Sequence, residues 1–294
     1  MVLQLLLWFP WHPIVLRSGL DISYYYAINE LLAHHAQFAD SVHPHGPYGF
    51  LKNNVYHPAT FRLLLATRLA VFALFALLAA RAACRWASGF RRGALWIALL
   101  VAVAWYGEAY FLSLAMLAFL AFWSADSAAD RARWSPAVLG LSLVTLMKLN
   151  FGVMAAALAG LMALVVLLER RCDPGRAKGA GGIAWRASGA AWPALFVAGV
   201  LVLWIAAGQE LASLAEFVVS RLRFSGSYSE SHALAGPTYQ IVAFLAAGLL
   251  FWATFVGQEL RRSGAGALAP AAALGLWLAL TAKPFPDELL NSAS

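Results

Sequence analysis

Charge is what this sequence has least of. Only 12% of its 294 residues are Asp, Glu, Lys or Arg, about half the roughly 25% of an ordinary soluble domain. A water-facing surface of normal polarity is therefore excluded for much of the chain. Cysteine is nearly absent as well: Cys84 and Cys172 are the two there are. Both lie beside basic loops, so a disulfide framework is excluded and each reads as inert filler. No basic stretch precedes the first apolar segment and no A-x-A site follows it, which argues against a cleaved signal peptide. Segments of alternating polarity are missing too, and with them the signature of a transmembrane β-barrel.

What is present is apolar and organised. Hydrophobic residues make up 62% of the chain, in Ala/Leu/Val-rich runs of about 16–22 residues, the length set by a hydrocarbon core roughly 30 Å thick. The fold class expected is all-α, a polytopic integral membrane protein with about nine transmembrane helices in a single domain over 1–294. Met1–Leu16, broken by Pro10 and Pro13, reads as a short or tilted first helix, and the lack of basic residues before it as a sign that the natural N-terminus lies upstream. Phe61–Ala83 is the second helix. Ala94–Trp123 is too long for one span and is interrupted by Gly107-Glu108, so it reads as two helices joined by a turn. Ala137–Leu168 repeats the design around Lys148 and Asn150. Helices follow at Ala190–Gly208, at Tyr239–Val256 and in a last run ending near Ala282. Two polar stretches stand out, a first outer loop over 17–60 and a second outer segment over 209–238.

Orientation follows from where the cations sit. Arg81, Arg85, Arg91, Arg92, Arg131, Arg133, Arg170, Arg171, Arg176, Lys178, Arg186, Arg261 and Arg262, thirteen of the 21 Lys+Arg, fall in four short loops. The two long polar stretches hold Arg17, Lys52, Arg221 and Arg223. Positive loops stay in the cytoplasm, so the long stretches face outward. The same clustering turns the net charge of +7 away from a nucleic-acid reading: no nucleic acid is expected as a partner, and membrane lipids are. Glu108, Lys148 and Asn150 then lie at outward tips, either as headgroup-level turn residues or as lining of a polar cavity.

The first outer loop carries the most information. Ile22, Tyr25, Tyr26, Ile28, Asn29, Leu32 and Ala36 fall at helical spacing, which predicts an interfacial helix over Ser23–Ala36. Asp21 reads locally as the N-cap of that helix. Gly46-Pro47 and Gly49 mark a turn before the next helix. His34 and His35 are adjacent, and His43 and His45 flank Pro44, so the spacings of a zinc site are missing. No cofactor is expected; a divalent metal is left open without support.

The order of a first helix, GLDIS, an Ala-x-Asn helix and HGPYGFL before the second helix resembles the GT-C glycosyltransferases, the superfamily of protein mannosyltransferases and aminoarabinose transferases. The resemblance covers roughly residues 17–168. It implies a polyprenyl-phosphate sugar as donor lipid, transfer on the periplasmic face of a bacterial inner membrane, and an acidic residue after the first helix as base. That residue is Asp21, with Asn29, Glu108, Lys148, Arg221 and Arg223 as the substrate-binding set. Arg62 and Arg68 are further outer-side cations. A carboxylate can take a proton from an acceptor, and cations can hold the departing phosphate. The chain departs from the pattern: one Asp stands where an Asp-Glu pair is usual, the spans are fewer than the superfamily's usual complement, and no soluble C-terminal domain is read after them, which implies either a fragment or a chain that lacks part of the catalytic assembly. Two other classes stay open, a transporter or flippase and a non-catalytic subunit of envelope polysaccharide assembly. The sequence does not specify an oligomeric state.

Overall fold

The structure is a computed structural model that describes residues 20–41, 45–52, 55–86, 107–125, 127–172 and 180–231, together with 246, 272 and 275. Among the described residues the chain is all-helical, without a strand. In chain order the helices are α1 (Leu20–Ala33), α2 (Phe61–Trp86), α3 (Gly107–Trp123), α4 (Ala128–Trp134), α5 (Ala137–Thr145), α6 (Leu149–Cys172), α7 (Ala180–Ala206) and α8 (Ser213–Ser231). Two 3-10 turns, Phe38–Asp40 and Gly49–Lys52, lie between α1 and α2. Met1–Phe224 form one compact unit and Ser225–Ser294 another. Among the described residues the first unit holds every helix but the last turns of α8.

The Ala/Leu composition makes each run a good helix former, since those side chains lose little freedom in a helix. Phe61–Ala82 is long and apolar enough to cross a membrane. Among the described residues the other apolar helices are shorter, at Tyr110–Trp123, Phe151–Leu167 and Ala190–Ala206. The outward faces are as apolar as the inward ones. On α2 the exposed stripe runs Leu63, Ala66, Leu69, Ala70, Ala73, Leu77; on α7 it runs Leu195, Ala198, Leu201, Val202, Ile205. A helix with an aqueous face carries polar residues there. The expected spans over 1–16, 94–106, 239–256 and up to 282 lie outside the described residues, apart from isolated positions.

α3 forms the centre. Tyr110, Phe111, Leu114, Ala118, Phe119 and Phe122 along it are buried, packed among α2, α5 and α6. Tyr110 stacks on Phe75 of α2 at 4.5 Å and Phe111 on Phe151 of α6 at 6.0 Å. α5 and α7 approach closely because Gly199 has no side chain: a Cβ there would sit 2.5 Å from the Ser142 Oγ. That hydroxyl reaches the carbonyls of Val138 and Phe196, 3.1 and 3.0 Å away, spanning the two helices. The break expected near Lys148 falls at 146–148, where Leu146 and Met147 donate to Leu143 and Val144 before α6 begins. The other expected turn, at Gly107-Glu108, coincides with the first described residues of α3.

The α4 end of the helices is fastened by charge. Arg81 forks onto Asp130, with Nη1–Oδ1 at 2.9 Å and Nη2–Oδ2 at 2.6 Å, and its guanidinium lies over Trp134 at 4.8 Å. Ser127 caps α4 by accepting from the Asp130 N–H. Nearby, the Arg131 guanidinium sits over Phe122 at 4.6 Å, and the Trp192 indole donates to the Arg131 carbonyl at 3.1 Å. The Arg81–Asp130 side chains are only 10% and 20% exposed. Arg81→Met is therefore expected to take its two-pronged guanidinium partner from a largely buried carboxylate and to cost about 1–3 kcal/mol. Arg81→Lys should lose less, because one of the two parallel hydrogen bonds survives. Chemical unfolding in detergent checks both values; equal stability of wild type and Arg81→Met would remove this pair from the account of the fold.

Candidate functional site: a polar cap over one end of the helices

The chain between α1 and α2 is laid across the α5–α6 break by main-chain bonds. Gly46 N–H donates to the Met147 carbonyl at 3.0 Å and Tyr48 N–H to the Leu146 carbonyl at 3.2 Å, beside a backbone bridge from His45 to Lys148. Glycine is required at position 46, since a Cβ would stand 2.3 Å from the Leu146 oxygen. The Tyr48 hydroxyl donates to the Leu203 carbonyl on α7 at 2.9 Å, and burial pushes its pKa up, so it stays a donor.

A second set of bonds joins the same stretch to the end of α7. Gly208, at φ 73°, ends that helix in the left-handed region that suits glycine. Gln209 then accepts from the Phe38 N–H at 2.8 Å and donates to the Ala36 carbonyl at 3.0 Å. Gln37 answers in kind, accepting from the Glu210 N–H at 3.0 Å and donating to the Gly208 carbonyl at 3.3 Å. α8 adds the last tie through Arg221, which is buried. Its guanidinium donates to the carbonyls of Ser41 and Phe38, both at 2.7 Å, and lies over Phe217 at 4.9 Å.

The residues singled out from sequence are placed as follows. Asp21 is in the first turn of α1 and Glu108 is the second residue of α3; their side chains, and that of Asn150, lie outside the described ones. Asn29 is buried, where Nδ2 donates to the Tyr25 carbonyl at 2.9 Å and Oδ1 accepts from the Thr60 hydroxyl at 2.6 Å. It ties α1 to the start of α2. Lys148 is half-buried at the α5–α6 break, its Nζ 6.0 Å from the Phe151 ring centroid. Arg221 grips residues 38–41 through main-chain carbonyls, and Arg223 is exposed. Arg68 is buried and donates to the Leu51 carbonyl at 3.1 and 2.6 Å; Arg62 is exposed. Lys148 and Arg221 are thus brought to one stretch of chain, 38–48. Tyr25 of α1 meets that stretch edge-on at His45, 5.8 Å between centroids, and carries Lys52 over its ring at 5.8 Å. The helix expected over 23–36 runs from Leu20 to Ala33, stopped by the turn at His34 and His35, the latter at φ 52°. The expected outer segment 209–238 contains α8, whose buried residues Phe217 and Arg221 stand four apart; that spacing was its signal.

One cluster escaped the sequence reading. Glu30 accepts from His57 (Oε1–Nε2, 3.2 Å) and from His34 (Oε2–Nε2, 3.1 Å), and Tyr26 also hydrogen-bonds its carboxylate. The Tyr26 ring packs on His57 at 5.0 Å. Tyr26, Glu30 and His34 follow one another at the four-residue helical interval, which was legible; His57 was not, because the fold alone brings it there. Among the described residues no group of three or more His, Cys, Asp or Glu side chains is placed to hold a metal ion. No known protein family, curated protein or solved structure matches the chain.

The His57 hydrogen bond, followed by that from Tyr26 and the nearby imidazoles, holds the Glu30 carboxyl below its ordinary value of 4.5, against the opposing effect of burial. The same carboxylate raises the Tyr26 hydroxyl. A depressed carboxyl stabilises the fold above its unfolded-state value, and that contribution disappears as pH falls through the folded value. Amide exchange of α1 is thus expected to stay slow until the pH drops below the usual carboxylate range, then to quicken. Glu30→Gln should flatten that acid limb, and an unchanged limb in the variant would assign the acid sensitivity elsewhere.

Proposed function

We propose that the chain is a multi-pass membrane glycosyltransferase of the GT-C type, which moves a sugar from a polyprenyl-phosphate donor to an acceptor on the periplasmic side of a bacterial inner membrane. The observation that carries the reading is the cap itself. Residues 45–48 are paired to the α5–α6 break, and Phe38 and Ser41 are gripped by Arg221 of α8, so three segments far apart in sequence supply polar groups at one end of helices with apolar outward faces. An enzyme acting on a lipid phosphate needs that arrangement: apolar flanks for the isoprenoid, a polar end for the sugar and phosphate. Support for the orientation comes from the other end, where Arg81, Arg131 and Arg133 collect with α4, as the positive-inside rule expects of a cytoplasmic face.

In this reading Asp21, at the start of α1, takes the proton of the acceptor hydroxyl or amine as the glycosidic bond forms. Lys148, bridged to His45 through the backbone, and Lys52, over the Tyr25 ring, supply positive charge for the departing polyprenyl phosphate. Arg221 and Asn29 act one step back, by holding the cap to α8 and to α2; Glu108 and Arg223 complete the set implied by the resemblance. The test is incubation of the purified, reconstituted protein with radiolabelled polyprenyl-phosphate sugars. Transfer of label, or release of free polyprenyl phosphate, is expected. Asp21→Asn should slow it about 10²–10⁴-fold, the usual contribution of a general base, while insertion and unfolding stay unchanged. Intact donor lipid that is merely moved across the vesicle wall would replace the transferase with a flippase; neither transfer nor movement would point to a non-catalytic subunit.

A further inference from the structure

We infer that α8 is an interfacial helix: one face grips the cap, and the adjoining face is set into the lipid surface at the cap end of the helices. The inference rests on the membrane-spanning part of the reading above and is independent of the transfer chemistry. Residues 213–223 of α8 divide into three lines along the helix. Phe217 and Arg221 are buried, with Leu214 half-buried beside them. Ala215, Val218, Val219 and Leu222 are exposed and fill the adjoining arc of about 100°, the width of an apolar helix face. Glu216 and Arg223, exposed and seven residues apart, form a polar edge beyond Val219.

The buried line fixes where the helix lies. The Phe217 ring packs on Trp204, in the last turn of α7, at 4.9 Å. It also lies close to Gly46, where a Cβ would stand 3.0 Å from its Cζ. One turn later Arg221 has reached the carbonyls of Phe38 and Ser41. α8 therefore leaves the end of α7 and runs across the cap. Ile205 on the last turn of α7, Leu211 in the connecting turn and Val218 on α8 are all exposed, so the outward surface stays apolar as the chain turns. Its large side chains are well out of the protein, with Leu222 54% and Val219 46% exposed. A face turned to water would carry polar residues there. A helix with a buried line, an apolar arc and a polar edge fits a place between protein, acyl chains and water. The start of α2, tied to α1 through Thr60 and Asn29, has the side chains of the same boundary. Tyr56, exposed, packs on Phe61 at 5.1 Å beside the exposed Arg62. Tyrosine collects at the headgroup level, and arginine can snorkel from it into water. With lipid on one side and residues 38–41 on the other, α8 is a strap that sets the depth of the cap.

The test is spin labelling of the full chain in vesicles of phosphatidylcholine and phosphatidylglycerol, in a Cys84→Ser, Cys172→Ser background. Labels are placed singly by Val218→Cys, Leu222→Cys, Glu216→Cys and, on the exposed face of α2, Leu69→Cys; all four positions are exposed, so no packed contact is lost. Collisions with oxygen, which partitions into lipid, are compared with those of a water-soluble nickel chelate. Labels at 218 and 222 are expected to favour oxygen, at a shallower depth than the label at 69, while the label at 216 favours the chelate. If 218 and 222 meet the chelate as freely as 216 does while 69 remains in lipid, the strap is overturned and the membrane reading stands. If they are shielded from both reagents, protein covers this face, whether a second copy or another part of the chain, and the proposal is equally overturned. A chelate-exposed label at 69 would remove the membrane reading and the strap together.

Discussion

The two main-chain bonds from Gly46 and Tyr48 to the carbonyls of Met147 and Leu146 organise everything at the polar end. A helix interrupted at 146–148 exposes carbonyls that its own turns no longer use, and a buried carbonyl without a donor is costly. Here the donors come from another part of the chain, and they fit because Gly46 lets the backbones approach to a distance that any side chain would prevent. The break and the loop are therefore one feature. Neither the α5–α6 turn nor the stretch 45–48 would satisfy its backbone alone.

Charge is distributed by the same logic. With outward faces as apolar as those of α2 and α7, the polar side chains are left at the ends or in well-paired interior positions. At one end Arg81 and Asp130 neutralise each other in a nearly buried fork. At the other, Arg221 and Arg68 use main-chain carbonyls, of Ser41, Phe38 and Leu51, as their acceptors. Arginine suits this because its planar fork can serve adjacent carbonyls at once, which a lysine ammonium on a flexible stem does less well. These buried arginines frame the cap, and the half-buried lysines at 52 and 148 are the cations nearer its surface.

Much of this was legible in the sequence, and the limits have physical causes. Helical class, the long α2 and the break at Lys148 follow from run length and from polar residues interrupting apolar ones, which are local signals. The α1 boundaries were displaced by three residues because apolar periodicity does not register where His35 turns the chain at positive φ. α8 was missed because its segment is rich in Ser and polar overall, so only the pair Phe217 and Arg221 betrayed it. The standing of Arg221 could not be read at all: an arginine in an outer segment looks like a phosphate ligand until its carbonyl partners are known. Glu30 is the opposite case. Its intrahelical partners Tyr26 and His34 were visible at their spacing, but a carboxylate flanked by surface residues has no special meaning until His57 arrives from behind.

That last residue shows what separates a surface ion pair from a site. Glu30 with His34 alone would be an exposed pair, contributing little and easily screened by salt. Adding an imidazole that is 5% exposed changes the problem, since its polar atoms have few alternatives to Glu30 once water is excluded. The carboxylate becomes the acceptor on which a buried donor depends, and the 55–60 segment is held by that dependence as well as by the Thr60 hydroxyl on Asn29. Because Asn29 and Glu30 are consecutive on α1, both ties enter through the same turn of helix. Whatever shifts the proton balance at Glu30 acts on the residue next to the one that fixes α1 to the long apolar helix α2, so the cap's chemistry and its attachment to the helices share a single short stretch of chain.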